Sequence, residues 1–168
     1  KLDEENSDFS KVFNQLKNKF GKSVIALEIP IMENGRLKGI VNVPKMRAVY
    51  FNGKEITEGE IPDSMLSDIE AYKEGIAEAV AESDEVLMEK YFSGEAFTDE
   101  EIRKGIKAGT KSGDIAPVLC ASAIQKAGVG LLLDAINKYM PAHCEKGTVK
   151  LTNSATNNLT EIKVDPKE

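Results

Sequence analysis

Few residues in this 168-residue chain are of the kinds that do covalent chemistry. It has one histidine, His143, and two cysteines, Cys120 and Cys144, none at metal-ligand spacing. Cys120 lies in the apolar run "PVLCASAI" (Pro117 to Ile124) and reads as a buried thiol; His143 reads as a solvated linker residue. What remains is hydrogen-bonding and electrostatic chemistry, concentrated in three places. "KLD" sets the ammonium of Lys1 near the carboxylate of Asp3. Ser122 and Ala123 end the apolar run on small residues. Glu70, Glu74 and Glu78 recur every four residues, with Glu82, Asp84 and Glu85 beyond them. A carboxylate accepts N–H donors, a small-residue turn leaves backbone N–H groups within reach, and an acidic row attracts a basic partner.

A fourth stretch, "GIKAGTKSG" (Gly105 to Gly113), looks like a phosphate-binding loop and fails the test. The pattern G-x-x-x-x-G-K-[ST] needs glycine where Thr110 stands, and it needs a strand before it and a helix after it. Here a helix precedes, so the stretch is expected to be a helix C-terminus with cations placed well for the dipole.

The elements that must position these groups follow from periodicity. Phe9, Val12, Phe13, Leu16 and Phe20 mark a helix capped by Asn6 or Ser7 and ended by Gly21. Ile25, Leu27, Ile29 and Ile31 then alternate as a strand, Asn34-Gly35 supplies a hairpin turn, and Ile40, Val41 and Val43 return. A further strand covers Arg47 to Phe51. Pro62-Asp63-Ser64 opens a helix with Met65, Ile69, Tyr72, Ile76 and Val80 on one face. A short helix from Val86 to Phe92 follows, then one with a Thr98–Glu101 capping box running to about Ala108. A strand from Ile115 to Ala121 leads to a last helix (Val129, Leu132, Leu133, Ile136, Tyr139) stopped by Pro141. "TVKLT" and "LTEIKV" around "NSATNN" read as an exposed hairpin. The order predicts part of an α/β domain carrying an α+β insertion.

Charge is uneven. Residues 1–53 hold nine basic against six acidic residues, 54–101 three against sixteen, and 102–168 ten against six. An acidic middle excludes direct contact with a phosphate backbone there, and suits a basic protein surface or a plain solvated face. No apolar run approaches the ~18 residues a membrane span requires, and the cysteine usage suits a cytoplasmic protein.

The two small motifs take on meaning together. Lys1-Leu2-Asp3 resembles the last three residues of the [NT]-K-x-D guanine-specificity motif, and Ser122-Ala123 resembles the second guanine-contacting motif, of translational and Ras-like GTPases. "KLDEENSDFSKVFNQLKNKFG", "KGIVNVPKMRAVYFN", "AEAVAESDEVLMEKYFSGEAFTDEEIRKGI" and "IAPVLCASAIQKAGVGLLLDAINKYMP" extend the resemblance, in order, to bacterial elongation factor G across about residues 1–142. The resemblance implies that Lys1, Asp3, Ser122 and Ala123 are parts of a guanine pocket. It implies a C-terminal portion of a P-loop-type G domain with an inserted α+β subdomain. The division would be 1–22 and 114–142 as G-domain parts, 23–113 as the insertion, and 143–168 as linker and hairpin. It does not separate a translocase from a paralogue or a ribosomal protection protein.

Ala121 departs from the family, where glycine is expected. The family's phosphate loop, switch regions and magnesium ligands would precede Lys1, so the chain is expected to be a fragment that neither hydrolyses GTP nor binds GTP or GDP tightly. The resemblance further implies that the insertion meets the ribosomal stalk protein, with Glu70, Glu74, Glu78, Glu82, Asp84 and Glu85 as the acidic surface. The alternative is an acidic protein-interaction module that never sees nucleotide. Strand 115–121 without its sheet neighbours is expected to leave Val118, Leu119 and the last helix open, with self-association as a consequence.

Overall fold

The computed structural model describes residues 1–52, 55–142, 145, 148–152, 154 and 158–163. His143, Cys144 and most of "NSATNN" lie outside the described residues. The architecture is mixed α/β, with one parallel strand pair, one four-stranded antiparallel sheet, a separate hairpin and several helices.

The first helix, α1 (Phe9–Phe20), ends at Gly21 as its sequence requires, with φ at 76°. Its cap differs from expectation. Asp8 takes the position, accepting from the Lys11 N–H at 2.9 Å. Asn6 is in the left-handed region at φ 69°, and the Ser7 hydroxyl donates instead to the Leu2 carbonyl. The cap therefore fell to the residue with an extended backbone beside the helix.

The stretch from Ile25 to Ile31 is two strands, not one: β1 (Val24–Ala26) and β2 (Glu28–Glu33). Leu27 is the joint between them. Its N–H donates to Val118 and its carbonyl accepts from Val43, both at 3.0 Å. Alternation fails because every residue from Val24 to Ile31 is buried, Glu28 included. Strand β2 continues into β3 (Arg36–Asn42), β4 (Arg47–Asn52) and β5 (Glu55–Gly59), antiparallel in that order. Asn34 and Gly35 turn the first hairpin at φ 50° and 72°, both positive as a type I′ turn requires. Strand β5 has no apolar alternation, and its Ile56 is 67% exposed. The β4 ladder alone holds it as an edge.

Helices α2 (Leu66–Ala81), α3 (Glu85–Phe92) and α4 (Asp99–Ser112) follow. Ile69, Ile76 and Val80 of α2 meet Ile102 and Ile106 of α4 in the core, together with β1 and β2. The Thr98–Glu101 capping box is present. Helix α4 runs to Ser112, further than periodicity suggested, and Gly113 closes it in the left-handed conformation. This settles the glycines of the false phosphate loop. A Cβ on Gly105 would lie 2.5 Å from Val80, and one on Gly109 2.5 Å from Ile115. They are there so that α4 can lie against its neighbours.

Strand β6 (Ala116–Val118) is shorter than the 115–121 expected, and it does have a neighbour. Its partner is β1, in parallel, Val24 opposite Ala116. Helix α5 (Val129–Tyr139) buries Ala135 and leaves Leu133 and Ile136 exposed. The hairpin of β7 (Thr148–Thr152) and β8 (Leu159–Lys163) forms as expected. No helix among the described residues is long and apolar enough to cross a membrane.

Candidate functional site

The two ends of the chain's chemistry meet. The Ser122 hydroxyl donates to Asp3 Oδ1 at 2.6 Å, across 119 positions of sequence. The main-chain nitrogen of Lys1 donates to the Ala121 carbonyl at 3.1 Å. Leu2 packs onto the small cluster of Leu37, Ile40, Cys120 and Ala127, which fixes the first segment against the turn after β6.

Each half has a local reason for its shape. After Lys1 the chain folds into successive turns, Glu4 N–H to Lys1 and Ser7 N–H to Glu4, so Asp3 is held facing the second loop. The second loop is closed by a pair of bonds between Ser122 and Ala127, at 2.9 and 3.1 Å, and by Lys126 N–H to the Ala123 carbonyl. The Ser122 oxygen also accepts from the Gln125 N–H at 3.2 Å. Lys126 takes φ 56° and Gly128 φ 77° to complete the turn. Only glycine fits at 128, since a Cβ there would lie 2.5 Å from the Cys120 carbonyl oxygen and 2.7 Å from Ile40.

The Ser122 bond, first among the causes, lowers the Asp3 carboxyl below the ordinary aspartate value, against the opposing effect of desolvation. Ser122 is wholly buried and Ala123 exposed. Among the described residues, the Ala123 N–H has no protein acceptor, and Asp3 Oδ2 takes no bond from another residue's side chain. Lys1 extends outward and pairs with Glu4 at 3.3 Å. The arrangement is a carboxylate and an open backbone donor on one small edge.

One residue of this region gave no signal in the sequence. Glu28 is 1% exposed, and its Oε2 accepts from the Cys120 N–H at 3.0 Å. The Cys120 thiol donates to the Glu28 carbonyl at 3.2 Å. Burial pushes the Glu28 carboxyl up to about 7, and the Cys120 bond opposes that rise. Cys120 is buried as expected, and burial also pushes its thiol up. Glu28 faces a cleft of about 620 Å³ between the four-stranded sheet and helices α4 and α5. A second, smaller cavity of about 60 Å³ lies between α1, β1 and α2. Neither is lined by Asp3, Ser122 or Ala123; Asp3 and Ala123 sit on an open edge, and Ser122 is buried.

The acidic row is partly occupied within the molecule. Tyr91 donates to Glu74 at 2.7 Å, and Lys22 pairs with Glu78 at 2.9 Å. Asp84 caps α3 by accepting from the N–H groups of Val86 and Leu87. Glu70, Glu82 and Glu85 are exposed and take no hydrogen bond or ion pair among the described residues. Val86 and Phe92 of α3 are exposed too, at 72% and 78%. No group of three or more potential metal ligands occurs among the described residues.

No family model matches the chain. Among solved structures it is similar to a crystal structure of a protein from Thermus thermophilus, with a TM-score of 0.78 and 27% identity. That likeness covers 84% of this chain and 21% of the other, so the chain spans about a fifth of the length of the protein it matches.

Proposed function

We propose that the chain is the guanine-recognition end of a ribosome-dependent GTPase of the elongation factor G type, with an inserted subdomain that meets a protein partner. The observation that carries this reading is the 2.6 Å bond between Asp3 and Ser122. Two loops 119 positions apart, each resembling one half of a guanine motif, share one edge. Guanine presents a ring N–H and an exocyclic amine side by side, and a carboxylate accepts both. Adenine has no such donor pair, and a carboxylate left unpaired on binding costs about 1–3 kcal/mol. Asp3 takes that role here. The Ala123 N–H donates to the guanine carbonyl oxygen, the Lys1 stem lies along the base, and the Ser122 hydroxyl orients Asp3.

The division of the chain into 1–22, 23–113, 114–142 and 143–168 belongs to the same proposal. The parallel pairing of β1 with β6 supports it, because β1, the first strand of the segment 23–113, sets Val24 opposite Ala116 and so brings the two ends of that segment together. The residues present fit the base end of GTP or GDP. Phosphate and magnesium contacts, and hydrolysis, are assigned to none of the described residues. The base alone supports a dissociation constant of about millimolar, some 4 kcal/mol. For the partner, a basic surface such as that of the ribosomal stalk protein is proposed. The free acids Glu70, Glu82 and Glu85 supply the attraction, and Glu74, Glu78 and Asp84 shape the surface.

The test is a titration of isotopically labelled chain with GMP and AMP to ~10 mM, read by amide shifts. GMP is expected to move Asp3, Ser122 and Ala123 with a constant of about millimolar, and AMP to leave them in place. Equal responses to both nucleotides, or none to GMP, contradict the reading.

A further inference from the structure

We infer that Glu28 is a positioning residue for the Ser122–Ala123 turn, through which the antiparallel sheet is gripped to the base-contacting edge. The role rests on the function proposed above, and it is carried by a different set of contacts.

Strand β6 ends at Val118, so no ladder holds the backbone from Leu119 to the turn. The Lys1 nitrogen holds the Ala121 carbonyl, and Cys120 is held by Glu28. Its side chain accepts from the Cys120 N–H at 3.0 Å and its main chain accepts from the Cys120 thiol at 3.2 Å. One residue thus grips Cys120 at both of its donors, two positions before Ser122. On the other side, Gly128 lets the returning chain pass against the Cys120 carbonyl. The segment is wedged between the two.

The burial pattern points the same way. Among the described residues, Glu28 and Ser122 are the two buried polar side chains, and the Cys120 that Glu28 bonds stands two positions before Ser122. A carboxylate in a core adds little net stability, since desolvation offsets what it gains from its partner. Its upward-shifted pKa of about 7 records that desolvation. What it supplies is a fixed acceptor at a fixed place. Glu28 also begins β2, opposite Asn42 of β3, so a displacement of the sheet is carried to Cys120 without an intervening flexible loop.

Reach, and not charge, is what this role needs. Glutamine at 28 keeps an oxygen at the same distance. Aspartate keeps the charge but is shorter by one methylene, about 1.5 Å, which puts the acceptor beyond hydrogen-bond range. The experiment compares wild type, Glu28→Gln and Glu28→Asp by amide hydrogen exchange and by GMP titration. Glu28→Gln is expected to keep the protection of Cys120 and Ser122 and the wild-type GMP response. Glu28→Asp is expected to speed exchange at Cys120 and Ser122 by about 10–100-fold while Ile40, Val41 and Ala48 in the sheet stay protected. It is also expected to weaken GMP binding at least several-fold.

Equal behaviour of the two variants overturns the proposal, as does wild-type exchange or GMP affinity in Glu28→Asp. Should Glu28→Asp not fold, the wild type alone decides. A scalar coupling across the hydrogen bond, from the Cys120 amide nitrogen to the Glu28 carboxyl carbon, is expected, and its absence overturns the assignment. A wild type that ignores GMP sinks the functional reading and with it the role given to Glu28. A wild type that binds GMP while Glu28→Asp binds it equally sinks the role of Glu28 alone.

Discussion

Carboxylates are used in two opposite ways in this molecule. Around the turn after β6 they are few and held in place: Glu28 is buried and spans from the sheet to Cys120, and the partly exposed Asp3 is bonded to a buried serine. Along α2 and into α3 they are many and exposed, and half of the six are bound to Tyr91, Lys22 or a helix N-terminus. The same functional group therefore fixes geometry in one region and supplies charge in the other. Burial decides which. In the core a single carboxylate is sensitive to one methylene and to pH, whereas on α2 any one acid is nearly exchangeable with water.

The largest effect is expected at Gly128. Alanine there meets both a positive φ and a Cβ 2.5 Å from the Cys120 carbonyl. Gly128→Ala is expected to lower unfolding stability by about 2–4 kcal/mol, read by denaturant titration. A loss under about 1 kcal/mol would show that the turn is not wedged.

Next in size is the pH dependence set by Glu28. Its folded pKa, about 7, lies above the ordinary value of 4.5. The native state then holds a proton that the unfolded chain releases, so this contribution is fully present below 4.5 and is lost as pH rises through 7. Stability is expected to fall by about 2–3 kcal/mol over that window in wild type and to lose that slope in Glu28→Gln. Parallel slopes in the two proteins would place the carboxylate in water.

Ser122→Ala comes third. It removes the bond to Asp3 and the acceptor of the Gln125 N–H, for an expected loss of about 1–2 kcal/mol. It also lets the Asp3 carboxyl return toward its ordinary value, which a carbon-detected titration reads directly. The smallest effects belong to α2 and α3. Glu70→Lys and Glu82→Lys are expected to change stability by under about 0.5 kcal/mol while slowing association with a basic partner. A large loss of stability from either would mean that the row is part of the fold and not a surface for docking.

What was legible in the sequence was mostly local. The Asn34-Gly35 turn, the Thr98–Glu101 box and the Gly21 stop each carry their own conformational reason. Strand β5 was not legible, because "EITEG" buries no side chain and is held by β4 alone. The break at Leu27 was missed since a run of buried residues hides the point where one sheet passes to another. Glu28 was missed for a related reason. A charged residue between apolar neighbours reads as facing solvent, and only tertiary packing seals it inside. The pairing of Asp3 with Ser122 could be anticipated from motif resemblance, but not the serine hydroxyl as the donor that holds the aspartate.

The account turns on Asp3 being the group that selects the base. Xanthine carries an oxygen where guanine carries its exocyclic amine, so an amide N–H at position 3 should prefer it. The direct measurement is the affinity of wild type and Asp3→Asn for GMP and XMP, by the same amide-shift titration. The preference is expected to reverse, GMP for wild type and XMP for Asp3→Asn. An unchanged preference in the variant would contradict it.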